Sequence, residues 1–173
     1  MVTEKKLRGG QTVKIRPLRK EDLDLELDFF RNLSPESRNQ RFLGGISTKN
    51  PPQKLIDMLL DIDHFQSEAY IALAGEGEEQ KQIGVARYAV DAGGSACECA
   101  AVVADEWQRR GLGTLLMNLL IDSARDRGIK RMYTIESAGN AKVRKVARTL
   151  GFRCEAYPGD PTLLLYNLDL QQE

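Results

Sequence analysis

The stretch VVADEWQRRGLGTLL, from Val102 to Leu116, joins the end of an apolar strand pattern to the start of a helical one. Two glycines, Gly111 and Gly113, stand one residue apart where the helix is expected to begin. Glycine lacks a Cβ and turns freely, so successive backbone N–H groups can point towards a single anion. The helix dipole, Arg109 and Arg110 add positive charge at this end. The stretch therefore predicts either an anion-binding turn or a plain tight turn before a packed helix.

Two well-known phosphate-binding loops do not fit this turn. A P-loop carries Lys and then Ser or Thr after its last glycine, whereas Gly113 is followed by Thr114 and Leu115. A Rossmann fingerprint needs a third small residue, where this chain has Leu116. It also needs an acidic residue about 20 positions further on, and residues 131–135 read RMYTI. The sequence therefore favours neither a mononucleotide loop nor a dinucleotide loop.

Strand and helix patterns alternate on both sides of the turn. Apolar alternation predicts strands at residues 13–17, 69–74, 83–90, 97–104, 131–136 and 162–169. Caps and apolar spacing predict helices after Glu21, from Ser34 to Phe42, after Pro52, from the glycine turn to just before Gly128, and from Asn140 to Leu150. This order predicts an α+β fold in which the early strands pair antiparallel. The strand, helix and strand around the glycine turn form a parallel crossover.

The size and charge of the chain narrow the class of protein. Its 173 residues suit one domain spanning 1–173. Lys and Arg total 25, as do Asp and Glu, so no overall field favours nucleic acid or a membrane surface. Neither a leader pattern nor a run of about 20 apolar residues occurs, which predicts a soluble, cytoplasmic protein.

The three cysteines do not form a recognisable framework. Cys97 and Cys99 would share one face of a strand, and Cys154 stands alone. This spacing indicates neither zinc nor a disulfide scaffold. Small buried packing residues are the preferred interpretation over a catalytic thiol. The single histidine, His64, is expected in a surface loop.

The full stretch resembles motif A of the GNAT superfamily of acyl-CoA N-acyltransferases, Gln/Arg-x-x-Gly-x-Gly/Ala, through Gln108, Gly111 and Gly113. Asn140 and residues 150–152, Leu-Gly-Phe, match in order and spacing the helix that follows in that family. The blocks IRPLRKEDLD, LSPESRNQRF and GVARY further resemble the acetyltransferase domain of bacterial Pat-type protein lysine acetyltransferases. The resemblance covers residues from about 13 to 170. It implies a GNAT fold, with a mixed, mostly antiparallel sheet, one splayed parallel pair and flanking helices.

The resemblance implies acetyl-CoA as co-substrate and no metal. The pyrophosphate would bind the glycine turn, and the backbone of Val102 and Val103 would bind the pantetheine arm. Asn140 would lie near the thioester, while cations of the following helix are candidates for the 3′-phosphate or simply a solvated face. The residues implied in binding acetyl-CoA are Val102, Val103, Gln108, Arg109, Arg110, Gly111, Leu112, Gly113, Thr114, Asn140, Lys142, Arg144 and Lys145.

Acetyl transfer to an amine needs a base, because lysine, with a pKa of about 10.4, is almost fully protonated near pH 7. Glu98 lies within the apolar strand CECAAVV, where burial would raise its pKa, and a glutamate on this strand is the general base of Pat-like domains. The alternative is a strand glutamate that faces solvent, opposite Cys97 and Cys99. Glu136 is a second candidate base.

Position 147 departs from the common family pattern. Many members carry there a tyrosine that protonates the leaving thiolate, and this chain has Ala147. Pat-type domains commonly lack that tyrosine too, so the thiolate would leave unprotonated or take a proton from solvent. Tyr133, Tyr157 and Tyr166 are unplaced alternatives.

The expected function is therefore N-acetylation of a protein lysine, with Glu98 as base and backbone N–H groups polarising the thioester carbonyl. Two alternatives stay open: acetylation of a small-molecule amine, and a non-catalytic acyl-CoA-binding sensor. The oligomeric state and the acceptor do not follow from the sequence.

Overall fold

The computed structural model describes residues 2–34 and 53–171 of the chain. The helix expected from Ser34 to Phe42 lies outside the described residues, apart from Ser34 itself. Within these two ranges, no helix is both long and apolar enough to cross a bilayer.

The predicted strands and helices that lie in these two ranges occur in the predicted order, with two further strands. The strands are β1 (Thr3–Lys6), β2 (Thr12–Pro17), β3 (Ser67–Ala74), β4 (Lys81–Val90), β5 (Ala96–Val103), β6 (Arg131–Ser137), β7 (Arg153–Ala156) and β8 (Leu163–Asp169). The helices are α1 (Leu23–Arg31), α2 (Gln53–Leu60), α3 (Leu112–Asp126) and α4 (Ala141–Leu150). Short 3-10 turns at Lys20–Asp22, Gly77–Glu79 and Asp105–Trp107 precede α1, β4 and α3.

All of the strands belong to one mixed sheet, in the order β1-β2-β3-β4-β5-β6-β8-β7. Every neighbouring pair is antiparallel except β5 and β6, which are parallel and joined through α3. The α+β prediction with a single parallel pair is confirmed.

Each strand predicted from apolar alternation is present, and no end differs from the predicted one by more than two residues. Strand β4 begins at Lys81, two polar residues before the apolar run that predicts a strand from Ile83. Sequence patterns missed β1 and β7, the two edge strands. Their side chains are exposed almost throughout, so neither strand has a buried face to produce alternation.

The sheet buries both faces. On one face, residues of α3 such as Leu116 and Leu120 pack with β4, β5 and β6, and on the other, residues of α1 and α2 such as Phe29 and Leu59 pack with β3. Gly84 of β4 allows α3 to come close, because a Cβ there would lie 3.1 Å from Leu116 Cδ1. The helix after the glycine turn is therefore fixed against the middle of the sheet.

A bulge in β4 changes which side chains share a face. The register between β3 and β4 shifts between Ala72 and Leu73. As a result Gln82 and Arg87, which strict alternation would put on opposite faces, both reach Glu26 of α1. Gln82 Nε2 donates to Glu26 Oε1 over 2.6 Å, and Arg87 Nη2 donates to Glu26 Oε2 over 3.1 Å. Burial raises the pKa of Glu26, opposed by Arg87 and the Gln82 hydrogen bond.

Candidate active site

The glycine turn has the backbone conformation that the sequence predicts. Gly111 has φ 85°, in the left-handed region, and is the N-terminal cap of α3. Arg109 also has a positive φ, 64°, which is strained for a residue with a side chain. The first intrahelical bond runs from Leu115 N to Gly111 O over 3.0 Å. The N–H groups of residues 112–114 therefore have no acceptor within the helix and are available at its positive end.

Strands β5 and β6 separate beside this turn. They pair only from Ala96 to Glu98 on β5, opposite residues 131–133 of β6. Beyond Glu98, β5 continues to Val103 along β4, while β6 continues along β8. The two strands thus leave a wedge-shaped opening that leads from Glu98 towards the glycine turn.

Along β5, the backbone N–H and C=O groups of successive residues point alternately to β4 and to this opening. Ala104 N donates to Ile83 O and Asp91 N donates to Ala96 O, so even-numbered residues of β5 direct their backbone groups to β4. Odd-numbered residues, among them Ala101 and Val103, direct theirs to the opening. Val102 therefore does not suit the backbone role expected of it, since its polar groups face β4. Gln108 ties the turn to this strand, because its Nε2 donates to Val103 O over 3.0 Å.

A cavity of about 280 Å³ lies at the point of the wedge. Glu98 and Ala100 of β5 line it together with Thr134 and Glu136 of β6. Further lining comes from Arg87 and Tyr88 of β4, from Asp61 after α2 and from Ser67, the first residue of β3. Two acidic side chains from neighbouring strands therefore line the same cavity. Its lining also includes residues from both sides of the sheet.

Glu98 is half-buried and lies on the α1 and α2 side of β5. Its register partner on β4 is Ala89, and Arg87 is two residues along on the same face. Cys97 and Cys99 point to the opposite face and pack against α3, as alternation predicts. Burial raises the pKa of Cys97 to about 12 and that of Cys99 well above its ordinary value. Both thiols are packing residues.

Glu136 reaches the same cavity from the α3 side of the sheet. It is buried, and Thr134 Oγ1 donates to its Oε1 over 3.2 Å. Strand β6 extends to Ser137, so Glu136 is its second-to-last residue and is held within the sheet rather than in the loop that follows.

Helix α4 begins and ends as the sequence predicts. Asn140 is its N-terminal cap, with Oδ1 accepting from Val143 N over 3.2 Å, and Gly151 ends it with φ 87°. Lys142, Arg144 and Lys145 are exposed on this helix. Arg144 is already engaged, since its Nη2 donates to the carbonyl of Ala138.

The position of the missing tyrosine is buried. Ala147 is 6% exposed on α4, and its methyl side chain cannot supply a proton. Tyr166 of β8 is buried beneath the same helix, and burial raises its pKa. Tyr133 lies on β6 beside Glu98 in register, and Tyr157 follows β7. Of these three tyrosines, none lines the cavity.

Two other predicted positions have clear outcomes. His64 is exposed in the loop after α2, as expected, and its Nδ1 lies 2.7 Å from Glu68 Oε1. Cys154 is exposed on the edge strand β7, so the interpretation of all three cysteines as buried is wrong for this one.

Sequence reasoning missed one basic residue at the glycine turn. Arg8 stands in the turn of the β1–β2 hairpin, a strand pair that was not predicted. A Cβ built on Gly111 would lie 3.8 Å from Arg8 Nε. Gly9-Gly10, directly after Arg8, was the available signal of a hairpin turn, but nothing local connects it to a residue about 100 positions later.

Comparison with known proteins agrees with this geometry. Residues 31–152 match the model of the acetyltransferase (GNAT) family. An acetyltransferase of Pseudomonas aeruginosa is 43% identical over 95% of this chain and 87% of its own length. The chain belongs to the GNAT acetyltransferase family and is thus an acyl-CoA N-acyltransferase by class. Members of this family use acetyl-CoA as acetyl donor.

The similarity to Pat proteins is more distant. The acetyltransferase Pat of Mycolicibacterium smegmatis is 28% identical over 84% of this chain, which spans 42% of that protein. The crystal structure of the GNAT domain of PAT from S. lividans has a TM-score of 0.81 and 24% identity, covering 97% of this chain and 96% of that domain. This structural likeness shows the GNAT fold.

Proposed function

We propose that this protein transfers the acetyl group of acetyl-CoA to the ε-amine of a protein lysine, with Glu98 as general base. The observation that carries the proposal is that Glu98 lines the cavity where β5 and β6 separate. At this point the opening from the glycine turn meets lining residues of β4 and of the segment after α2. A donor arriving along β5 and an acceptor arriving from the α1 and α2 side would meet at this carboxyl group.

The residues present suit acetyl-CoA. Gly111 presents bare backbone at the positive end of α3, and among the described residues a Cβ on it would meet only the side chain of Arg8 within 4 Å. From Glu98 to Val103, the six residues of β5 span five steps and extend over about 16 Å, a reach on the scale of an extended pantetheine arm. We assign the pyrophosphate to the N–H groups of residues 112–114, and the arm to the backbone of Ala101 and Val103.

The remaining nucleotide contacts are assigned to α4. Lys142 and Lys145 are exposed and are our candidates for the 3′-phosphate. Arg144 is a weaker candidate, because it donates to the carbonyl of Ala138. Asn140 caps α4 by accepting a hydrogen bond from Val143 N. This cap would orient the start of α4, which would lie next to the thioester.

The charge of the cavity supports a cationic acceptor. Asp61, Glu98 and Glu136 line it, and Arg87, which also lines it, is paired with the buried carboxylate of Glu26. An acidic lining attracts an ammonium group and raises its local concentration. Lysine then needs a base, since holding its amine neutral at pH 7 costs roughly 4 to 5 kcal/mol.

In the proposed reaction Glu98 accepts a proton from the bound ammonium group, the neutral amine attacks the thioester carbonyl to form the new N–C bond, and the nitrogen then releases its second proton to solvent. The C–S bond of the thioester breaks, and the sulfur leaves as a thiolate that takes a proton from solvent. Ala147 offers no proton at this step, and Tyr166 does not line the cavity. Backbone N–H groups of β5 that face the opening would polarise the thioester carbonyl. A protein lysine is preferred as acceptor because of the similarity to Pat proteins.

The test measures thiol release from acetyl-CoA with lysine-bearing proteins and, separately, with polyamines, alongside calorimetry of acetyl-CoA binding. Glu98→Gln is expected to lower kcat by roughly 10²- to 10⁴-fold and to leave the Kd for acetyl-CoA unchanged. Glu136→Gln is the matched control in the same cavity, and its kcat is expected to fall far less.

The other outcomes identify the rival functions. Release with polyamines but not with proteins would replace the lysine acceptor by a small amine. Tight binding of acetyl-CoA without any Glu98-dependent release would indicate a sensor. A larger loss for Glu136→Gln than for Glu98→Gln would assign the base to Glu136.

A further inference from the structure

The turn of the β1–β2 hairpin lies directly over the glycine turn. Leu7 is buried and belongs to the same apolar cluster as Leu112, the first residue of α3. Beside it, Arg8 N donates to Arg110 O over 3.4 Å. The hairpin is thus held against the start of α3 by an apolar anchor and a backbone contact.

Arg110 is occupied by contacts within the protein. Its guanidinium lies over the ring of Trp107, with Cζ 5.0 Å from the ring centroid. With the Gln11 amide oriented so that both of its groups are satisfied, Oε1 accepts from Arg110 Nη1 over 2.8 Å and Nε2 donates to Arg8 O over 3.3 Å. Arg110 therefore connects the hairpin to the glycine turn and has less freedom to turn towards a ligand.

Arg8 is placed differently. A Cβ built on Gly111 would lie 3.8 Å from Arg8 Nε and 3.9 Å from its Nη2, so the guanidinium stands over the bare face of the glycine. Its side chain is exposed, and within residues 2–34 and 53–171 its guanidinium has no hydrogen bond or ion pair. A planar guanidinium presents paired donors that match phosphate oxygens.

We propose that Arg8, from the N-terminal hairpin, binds the pyrophosphate of acetyl-CoA at the glycine turn, while Arg110 positions the turn. This assignment rests on the proposed function and adds a residue from outside the glycine-turn segment. It follows from the juxtaposition of Arg8 with Gly111 and from the contacts that already engage Arg110.

The experiment measures the Kd of Arg8→Gln for acetyl-CoA and for 3′-dephospho-acetyl-CoA, with Lys5→Gln as the matched control. Lys5 is an exposed cation on the same hairpin and is away from the glycine turn in the strand β1. Arg8→Gln is expected to raise both Kd values by about 10-fold or more, since a hydrogen bond to a charged group contributes on this scale. Lys5→Gln is expected to leave both unchanged.

Acetyl-pantetheine as donor separates a ligand contact from an effect on the fold, because it lacks the pyrophosphate. The rate of acetyl transfer from acetyl-pantetheine is expected to be the same for Arg8→Gln and the wild type. An equal loss with this truncated donor would show that Arg8 acts through the fold and would overturn the proposal. The proposal would also be overturned if Arg8→Gln weakened the binding of acetyl-CoA but not the binding of 3′-dephospho-acetyl-CoA.

The proposed function can fail separately from this inference. A wild-type protein that binds no acetyl-CoA overturns the proposed function and this assignment with it. A wild type that binds acetyl-CoA, with an unchanged Kd in Arg8→Gln, overturns the assignment of Arg8 alone.

Discussion

Arg87 Nη2 lies 3.1 Å from Glu26 Oε2, and the two side chains are only 8% and 0% exposed. Arg87 also donates to the carbonyl of Leu59 over 3.4 Å. One guanidinium on β4 therefore connects α1 and the end of α2 to the strand beside Glu98. These contacts fix the acceptor side of the cavity relative to the proposed base.

Removing one partner of this pair is expected to destabilise the fold strongly. Arg87→Met leaves the buried Glu26 carboxylate with the Gln82 hydrogen bond but without its ion pair, so the free energy of unfolding should fall by about 3–5 kcal/mol. The double variant Glu26→Leu with Arg87→Met replaces the pair by apolar groups and should recover most of this loss. Urea unfolding measures both, and a double variant no more stable than Arg87→Met would contradict the explanation.

A large side chain at Gly111 is expected to abolish acetyl-CoA binding. Gly111 and Gly159 both have φ 85°, so either Gly→Trp change should cost about 1–2 kcal/mol of stability through the left-handed backbone. Only Gly111→Trp should cover the N-terminus of α3 and block access to its N–H groups. Calorimetry with acetyl-CoA distinguishes the variants. Equal affinity of the two variants for acetyl-CoA would indicate that the glycine turn is a plain tight turn with no role in binding.

The three thiols are expected to react at very different rates. Cys97 and Cys99 are buried, and burial raises the pKa of the Cys97 thiol to about 12, so neither supplies a thiolate near pH 8. Cys154 is exposed on β7. Titration with a disulfide reagent should modify one thiol in the native protein and three after unfolding. Cys154→Ser should remove the fast reaction, and a remaining fast thiol would argue against the burial of β5.

The ion pair of Asp22 predicts a dependence of stability on pH. Burial disfavours the charged carboxyl of Asp22, but hydrogen bonds from Arg16 and Arg19 N outweigh it and lower its pKa below the ordinary 3.8. Because the pKa of Asp22 is lower in the folded protein than in the unfolded chain, its charged carboxylate stabilises the fold above about pH 3.8. This contribution disappears as the pH falls through the pKa of Asp22 in the folded protein. Asp22→Asn should therefore cost about 1–3 kcal/mol near pH 7 and less in acid.

Asp28→Asn is the matched control for Asp22. Asp28 is paired with Arg31 on the exposed face of α1, where a surface ion pair contributes under about 1 kcal/mol. Urea unfolding at several pH values measures both variants. A stability difference for Asp22→Asn that does not shrink below pH 3.8 would show that the carboxylate charge is not what stabilises this corner.

Local signals made much of the fold predictable. Asn140 and Gly151 mark the ends of α4 because a cap side chain and a left-handed residue act on N–H and C=O groups within one helical turn. Gly111 marks the start of α3 for the same reason. Apolar alternation located the inner strands, since their side chains alternate between two packed faces. Edge strands β1 and β7 lack that alternation and were missed.

The candidate site was predictable in part. The sequence placed Glu98 on a strand with Cys97 and Cys99 on the opposite face, because alternation is a local property. It could not give the direction of the backbone groups of Val102, which depends on pairing with β4. Nor could it place Glu136 in the cavity, since this depends on where β6 leaves β5.

The sequence alone determined the glycine turn, the capped helices and the family resemblance, because these depend on residues a few positions apart. Only the tertiary structure decided that Arg8 lies over Gly111 and that Glu26 meets Arg87, 61 positions away. These contacts depend on the strand order and on the bulge in β4, which places Gln82 and Arg87 on one face. Register and strand order follow from the packing of the whole sheet, so no short segment encodes them.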